Sequence, residues 1–219
     1  MITYIPTCET AVSTVPEWHR AIFKGKEAEV TSSEGWSPGA LNLAQGIAMK
    51  LHAPLIHSDV TRLLIDLSQH PEDHSRWSKF SRELNDDQKG KLDRRSKLAF
   101  LESIETRISD AIRRQENTIH LSIDTRTDLE ANEIHFEFDS RRELEASVVE
   151  QWASSLKEAL PDFKIHRSAP PTRCLSSYLR EKHPELGSFK LSVSQSAFLE
   201  GKPIPWVKLK NALANHIPR

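Results

Sequence analysis

The polar side chains best placed for chemistry are Glu9 at the end of an apolar run, Arg62 and Asp66 four apart, and Asp124 in SIDTRTD. Carboxylates at neighbouring strand ends can converge on a metal ion as hard oxygen ligands or handle a proton. Asp and Glu also cap helices and pair with arginine in ordinary proteins. Histidine offers less. His70 and His74 lie four apart, but Pro71 and a polar setting argue against a preformed metal pair, which needs further ligands. His120 and His135 fall inside strand-like runs, where a lone imidazole is expected as a hydrogen-bonded core residue. Neither a GxGxxG, a Walker loop, a nucleophile elbow nor an HExxH is present. The two cysteines, Cys8 and Cys174, lack a CxxC partner and are expected as buried small hydrophobes.

The elements that must hold these residues follow from periodicity. Ile2 to Cys8 predicts a strand that ends in the polar corner Cys8-Glu9-Thr10. Ser37-Pro38-Gly39 predicts a helix start, with Ser37 as N-cap and Ala40, Ala44, Ile47, Ala48 and Leu51 at helical spacing behind it. Pro54 to Ile56 and Thr61 to Leu67 are short apolar runs, the second a buried strand candidate that would project Arg62 and Asp66 to one face. Residues 68–85 predict a surface loop, and 86–115 a long amphipathic helix carrying Leu92, Leu98, Leu101, Ile104 and Ile108. Strands are predicted at 118–123, 133–138, 163–166 and 188–193, with helices at 144–160, 175–182 and 203–217. This alternation predicts a three-layer α/β/α sandwich with a mainly parallel or mixed sheet, and a site at the carboxyl ends of the strands.

A chain of 219 residues favours one domain, spanning 1–219. Thirty basic against thirty-one acidic side chains argue against nucleic acid or anionic membrane as partners. The start Met1-Ile-Thr-Tyr-Ile-Pro has no basic region, and eighteen consecutive apolar residues occur nowhere, so neither a signal peptide nor a membrane span is expected and the cytoplasm is the expected location.

The order of these segments resembles the N-formylglutamate amidohydrolase family of metal-dependent hydrolases, roughly from Cys8 to Gln195. Cys8-Glu9-Thr10-Ala11 looks like that family's Cys-Glu-His-Ala/Gly strand end, and Gly35-Trp36-Ser37-Pro38-Gly39-Ala40 like its Gly-Trp-Asp-Pro-Gly-Ala helix start. Thr61-Arg62-Leu63-Leu64-Ile65-Asp66-Leu67-Ser68 resembles its Ser-Arg-Leu-Leu-Val-Asp-Leu-Asn, the most specific match. The segment His120 to Thr127 is similar to the strand leading into its His-Ser-Phe-Thr, and Ser188 to Gln195 to its Gly-Ile-Glu-Leu-Glu-Val-Asn-Gln. The departures fall on polar positions. Thr10 and Asp124 stand where the family has histidine, Ser37 where it has aspartate, Lys190 and Ser192 where it has Glu-x-Glu, and Arg126 where it has phenylalanine.

The resemblance therefore implies a degenerate member: an α/β/α protein with a largely lost metal-hydrolase site, acting as a binding or regulatory homologue. Its catalytic remnants would be Glu9 and Asp124, with Ser37, Arg62, Asp66 and Arg126 lining a cleft for a small anionic ligand, and a protein partner as a further expectation. No cofactor is expected, because threonine and serine are weak zinc ligands and Lys190 adds a cation beside the metal position. The alternative is an active amidohydrolase cleaving an N-formyl or N-acyl amino acid with zinc, magnesium or manganese on a rebuilt Glu9, Asp66 and Asp124 set. Arg62 and Asp66 are expected to be partly buried and bonded to backbone.

Overall fold

A computed structural model describes residues 2–201 and 203–219. Its six strands are β1 (Ile2–Cys8), β2 (Ile56–His57), β3 (Asn117–Arg126), β4 (Glu133–Glu137), β5 (Lys164–Ser168) and β6 (Gly187–Ser194). They form one mixed sheet in the order β2-β1-β3-β6-β4-β5. Only the β4–β6 pairing is antiparallel, so β4 and β5 run against the other four.

The helices are α1 (Glu27–Thr31), α2 (Ala40–Leu51), α3 (Asp86–Leu92), α4 (Ala99–Arg113), α5 (Glu143–Ala159), α6 (Leu175–Lys182), α7 (Ser196–Leu199) and α8 (Pro203–Asn215). One face of the sheet supplies Tyr4, Ile119, Leu121, Ile123, Phe136, Phe189 and Leu191 to a core shared with α2, α5 and α8. At its centre the Trp152 ring lies 5.4 Å from Phe136 and 6.4 Å from Phe189. Truncating so buried a tryptophan costs about 3–5 kcal/mol. A second core lies on the opposite face, where Ile5 packs with Leu63, Leu64, Ile65, α4 and α6. The result is the expected α/β sandwich.

Several local expectations are corrected. Thr61 to Leu67 forms no strand; it is a buried turn segment tied down by Thr61 Oγ1 on Gly35 O (2.7 Å), Leu64 N on Thr61 O (2.9 Å) and Asp66 N on Arg76 O (2.9 Å). A short apolar run fills a core equally well as a strand or as a folded loop, and periodicity does not separate the two. Of the apolar run Pro54 to Ile56, only Ile56 enters a strand, β2. The long helix of 86–115 starts at the Asn85–Gln88 capping box, but widens to a π turn at Asp93–Leu98 and leaves Leu98 exposed. An i+5 turn rotates the following residues off the helical stripe.

Ser37 does not cap α2 with its side chain. Gly39 occupies the N-cap at φ 90°, a left-handed conformation that favours glycine, and a Cβ there would meet Phe198 at 2.7 Å. Cys8 is buried as expected, but Cys174 is only partly covered and sits at the N-cap of α6, where its N–H donates to Ser177 Oγ (3.0 Å).

Candidate functional site

Parallel strands covered on both faces ordinarily read as continuous apolar runs. Here β3 and β6 alternate, as Thr118-Ile-His120-Leu-Ser122-Ile-Asp124 and Ser188-Phe-Lys190-Leu-Ser192-Val-Ser194. The apolar members enter the first core, so the polar members turn to the other face, where His120, Ser122, Asp124, Ser188 and Ser192 are nonetheless buried. Register lines them up. Thr7, Ser122, Lys190 and Glu137 form one row across four strands, and Asp124, Ser192 and His135 the next.

Glu9, just past β1, is buried and accepts from both sides: Ser122 Oγ at 2.6 Å on Oε2, and the Thr7 hydroxyl on Oε1. Thr7 Oγ1 also meets His120 Nε2 at 2.8 Å, while His120 Nδ1 meets Ser188 Oγ at 2.8 Å. Because Thr7 gives its proton to Glu9, it accepts from His120, which fixes the Nε2–H tautomer and makes Ser188 the donor to Nδ1. Burial, with the charges of Arg180 and Lys190, pushes the His120 pKa down to about 3, so the ring is neutral. Burial also raises the Glu9 carboxyl, against the pull of Lys190 and the two hydroxyls.

Asp124 takes the opposite direction. Burial would raise it, but Lys190, the nearby Ser37 and Thr10 hydroxyls and the Arg62 charge outweigh that and hold the carboxyl below the aspartate range. Thr10 Oγ1 donates to Asp124 Oδ1 at 2.8 Å, and Thr125 N to the same atom at 2.8 Å. Lys190 Nζ lies 3.7 Å from Asp124 Oδ2. Burial pulls the pKa of this ammonium down, yet Asp124, Glu9, Glu137 and Asp66 outweigh it and raise the pKa above the lysine value. An internal cation thus sits among the carboxylates.

Beside this cluster lies a pocket of about 100 Å³ lined by Glu9, Ser122, Glu137, Lys190, Gln69 and Cys174, among others. Its cover is made by 68–70 and 173–175, joined by a Gln69–Cys174 bridge and by Leu175 N on Ser68 O (2.9 Å). That volume holds about three waters, below the roughly 300–1,000 Å³ of usual ligand pockets.

The expected cleft is corrected accordingly, since of Glu9, Asp124, Ser37, Arg62, Asp66 and Arg126 only Glu9 lines this pocket. Ser37 Oγ is buried near Asp124 without a hydrogen-bond partner. Arg62 instead reaches backward, donating from Nε to Glu34 O (3.0 Å) and from Nη2 to Trp36 O (3.1 Å) and Ser33 O. Asp66 accepts from Ser68 N (3.0 Å), Ser68 Oγ (2.6 Å) and Gln69 Nε2 (3.3 Å). Both are half-buried and bonded to backbone, but they do not pair with each other and share no strand face. Arg126, at the end of β3, binds Asp128 and Glu137 (2.9 Å) and meets His135 Nδ1 at 2.7 Å. It serves as a bridge between strands rather than an open clamp.

The donor set does not fit a dication. Asp66 is turned to its own loop, Glu9 accepts from two hydroxyls, Asp124 Oδ1 accepts from the Thr10 hydroxyl and Thr125 N, and Lys190 adds a cation on the Oδ2 side. Among the described residues no three His, Cys, Asp or Glu side chains are grouped as metal ligands. His70 and His74 do not converge either: His70 is buried edge-on to Tyr178 and accepts from Glu72 N, while His74 opens a 3₁₀ turn.

Comparison with known proteins adds the fold. No family model and no curated protein matches the sequence. The structure is similar to the crystal structure of gene product Atu2144 from Agrobacterium tumefaciens, with a TM-score of 0.74 over 99% of this chain and 88% of that one, at 16% identity. The fold is shared. Among the described residues no helix is long and apolar enough to cross a membrane.

Sequence reasoning missed Thr7, Ser122, Gln69 and Glu137, and placed His120 in the core without its link to Glu9. The signal for most of them was the polar alternation inside strands flanked by helices on both sides.

Proposed function

We propose that this chain is an N-formylglutamate amidohydrolase-like protein in which a salt-bridged cluster has replaced the metal-hydrolase centre, leaving a non-catalytic binding or regulatory homologue. The observation that carries it is Lys190, whose ammonium lies 3.7 Å from Asp124 and is held charged by Glu9, Glu137 and Asp66 as well. A lysine there supplies the positive charge that the carboxylates would otherwise offer to a metal, and repels a dication. The small pocket agrees, since about 100 Å³ admits a ligand of a few heavy atoms and not an acylated amino acid. A small anionic ligand beside Lys190, a protein partner and a cytoplasmic location belong to the same reading.

The test is elemental analysis of the purified chain combined with hydrolysis of N-formyl amino acids, with and without added zinc. The expected result is substoichiometric metal and no turnover above the uncatalysed rate. One tightly held zinc per chain together with metal-dependent turnover would overturn the proposal.

A further inference from the structure

The amino end of the sheet holds a second, larger cavity that the proposed function does not use. It has a volume of about 430 Å³ and is walled by Ile2 to Ile5 of β1, Lys50 to Pro54 after α2, Arg107, Asp110 and Arg114 of α4, and Arg219. Two independent features mark it. The first is charge: a chain of net charge −1 places Lys50, Arg107, Arg114 and Arg219 around one groove, against Asp110 in its wall and Glu116 beside Thr3. Arg114 is bound by Glu116 at 2.9 Å and Asp110 by Arg113 at 3.5 Å, whereas the side chains of Lys50, Arg107 and Arg219 make no hydrogen bond or ion pair with any described residue.

The second feature is an open strand edge. β3 pairs with β1 all along Ile2 to Thr7, but on the other side β2 meets β1 only at Thr7 and Cys8. Peptide groups of a strand point alternately to its two sides, so part of the N–H and C=O groups of Ile2 to Ile5 face the groove without a strand partner. Leu51, Ala53 and Pro54 line it as apolar wall.

We propose that this groove binds a small phosphorylated ligand, with the phosphate held by Lys50, Arg107 and Arg219 and the body lying along the open edge of β1. Phosphate suits the site better than a carboxylate. It carries close to two negative charges and three acceptor oxygens, and guanidinium forks match its geometry in pairs. The volume falls within the range of small-molecule sites. The place is unusual for an α/β sheet, whose ligands gather at the carboxyl ends, and the groove shares no lining residue with the Glu9 pocket, so the proposal is independent of the function proposed above.

The experiment is a titration of the full chain with inorganic phosphate and with ribose 5-phosphate, followed by backbone amide NMR. Expected are saturable shifts at Thr3 and Tyr4, tighter binding of the sugar phosphate than of phosphate, and weakening of both with added salt. Arg107→Ala should bind ribose 5-phosphate at least about tenfold more weakly while melting like the parent, because Arg107 holds no other residue. The proposal is overturned by any of three results: no saturation by either probe, equal binding to Arg107→Ala, or shifts at Ser122 and Lys190 in place of Thr3 and Tyr4.

Discussion

Lys190 and Asp124 stand on neighbouring strands, β6 and β3, with Nζ and Oδ2 3.7 Å apart and both side chains largely withdrawn from solvent. Removing one partner of such a pair leaves the other charged and unpaired in a poorly solvated place, at a cost of about 3–5 kcal/mol. Lys190→Met is expected to lose about 3 kcal/mol in urea unfolding, and the double variant Lys190→Met/Asp124→Asn to recover most of it. Parent-like stability of Lys190→Met would mean that the ammonium is not part of the folded scaffold.

His120 predicts acid sensitivity of definite sign. Its pKa falls from 6.5 unfolded to about 3 folded, so the unfolded chain binds the extra proton throughout that window. Stability is therefore full above pH 6.5 and is lost as pH falls toward 3, by up to about 4 kcal/mol from this one group. His120→Gln should flatten the slope of unfolding free energy between pH 6 and pH 4. An unchanged slope would place the acid sensitivity elsewhere.

Glu9 acts with the opposite sign, because its raised pKa favours the protonated folded state. Stability withheld at neutral pH returns as pH falls through the raised value toward that of ordinary glutamate. Glu9→Gln, which keeps acceptor capacity for Ser122 at one atom, is expected to gain stability at pH 8 relative to pH 5 when compared with the parent. Calorimetric melting at the two pH values measures it. A loss of equal size at both would show that only the hydrogen bonds matter.

Arg62 pins the 33–36 turn through three backbone carbonyls, while Asp66 closes only its own loop. Hydrogen bonds from a charged donor are worth about 1.5–3 kcal/mol each in favourable settings, so Arg62→Ala should cost at least about 2 kcal/mol. Asp66→Asn, half exposed and able to accept through its remaining oxygen, should cost under about 1 kcal/mol. Parent-like unfolding of both variants would remove them from the structural frame.

The cysteines should separate kinetically. Cys8 is fully buried, and burial with Glu9 and Asp124 nearby raises its thiol pKa, while Cys174 is partly exposed at the pocket rim. A raised thiol pKa and lack of access both slow Cys8, while Cys174 is open to reagent. A disulfide-exchange reagent should titrate one thiol rapidly in the native protein and the second only on unfolding; Cys174→Ser should abolish the rapid phase.

Local sequence was sufficient for the framework. The apolar run of β1, the alternating apolar positions of β3 and β6 and the stripes of α2 and α5 match the observed elements because each buries one continuous face, and burial is written into spacing. It was also sufficient for Glu9 and Asp124 as polar strand-end residues, and for the half-buried, backbone-bonded state of Arg62 and Asp66. Thr61 to Leu67 escaped it, because an apolar segment of seven residues satisfies its backbone through turns, through Gly35 or through a strand neighbour, and only the packed partners choose. The site itself was a tertiary decision. Lys190 reads in the sequence as a cation at a family glutamate position, and only the packed sheet sets its ammonium 3.7 Å from Asp124. Pairing across β1, β3, β6 and β4 put Thr7, Ser122, Lys190 and Glu137 in one row, and partners that lie far apart in sequence carry no local mark of such a register.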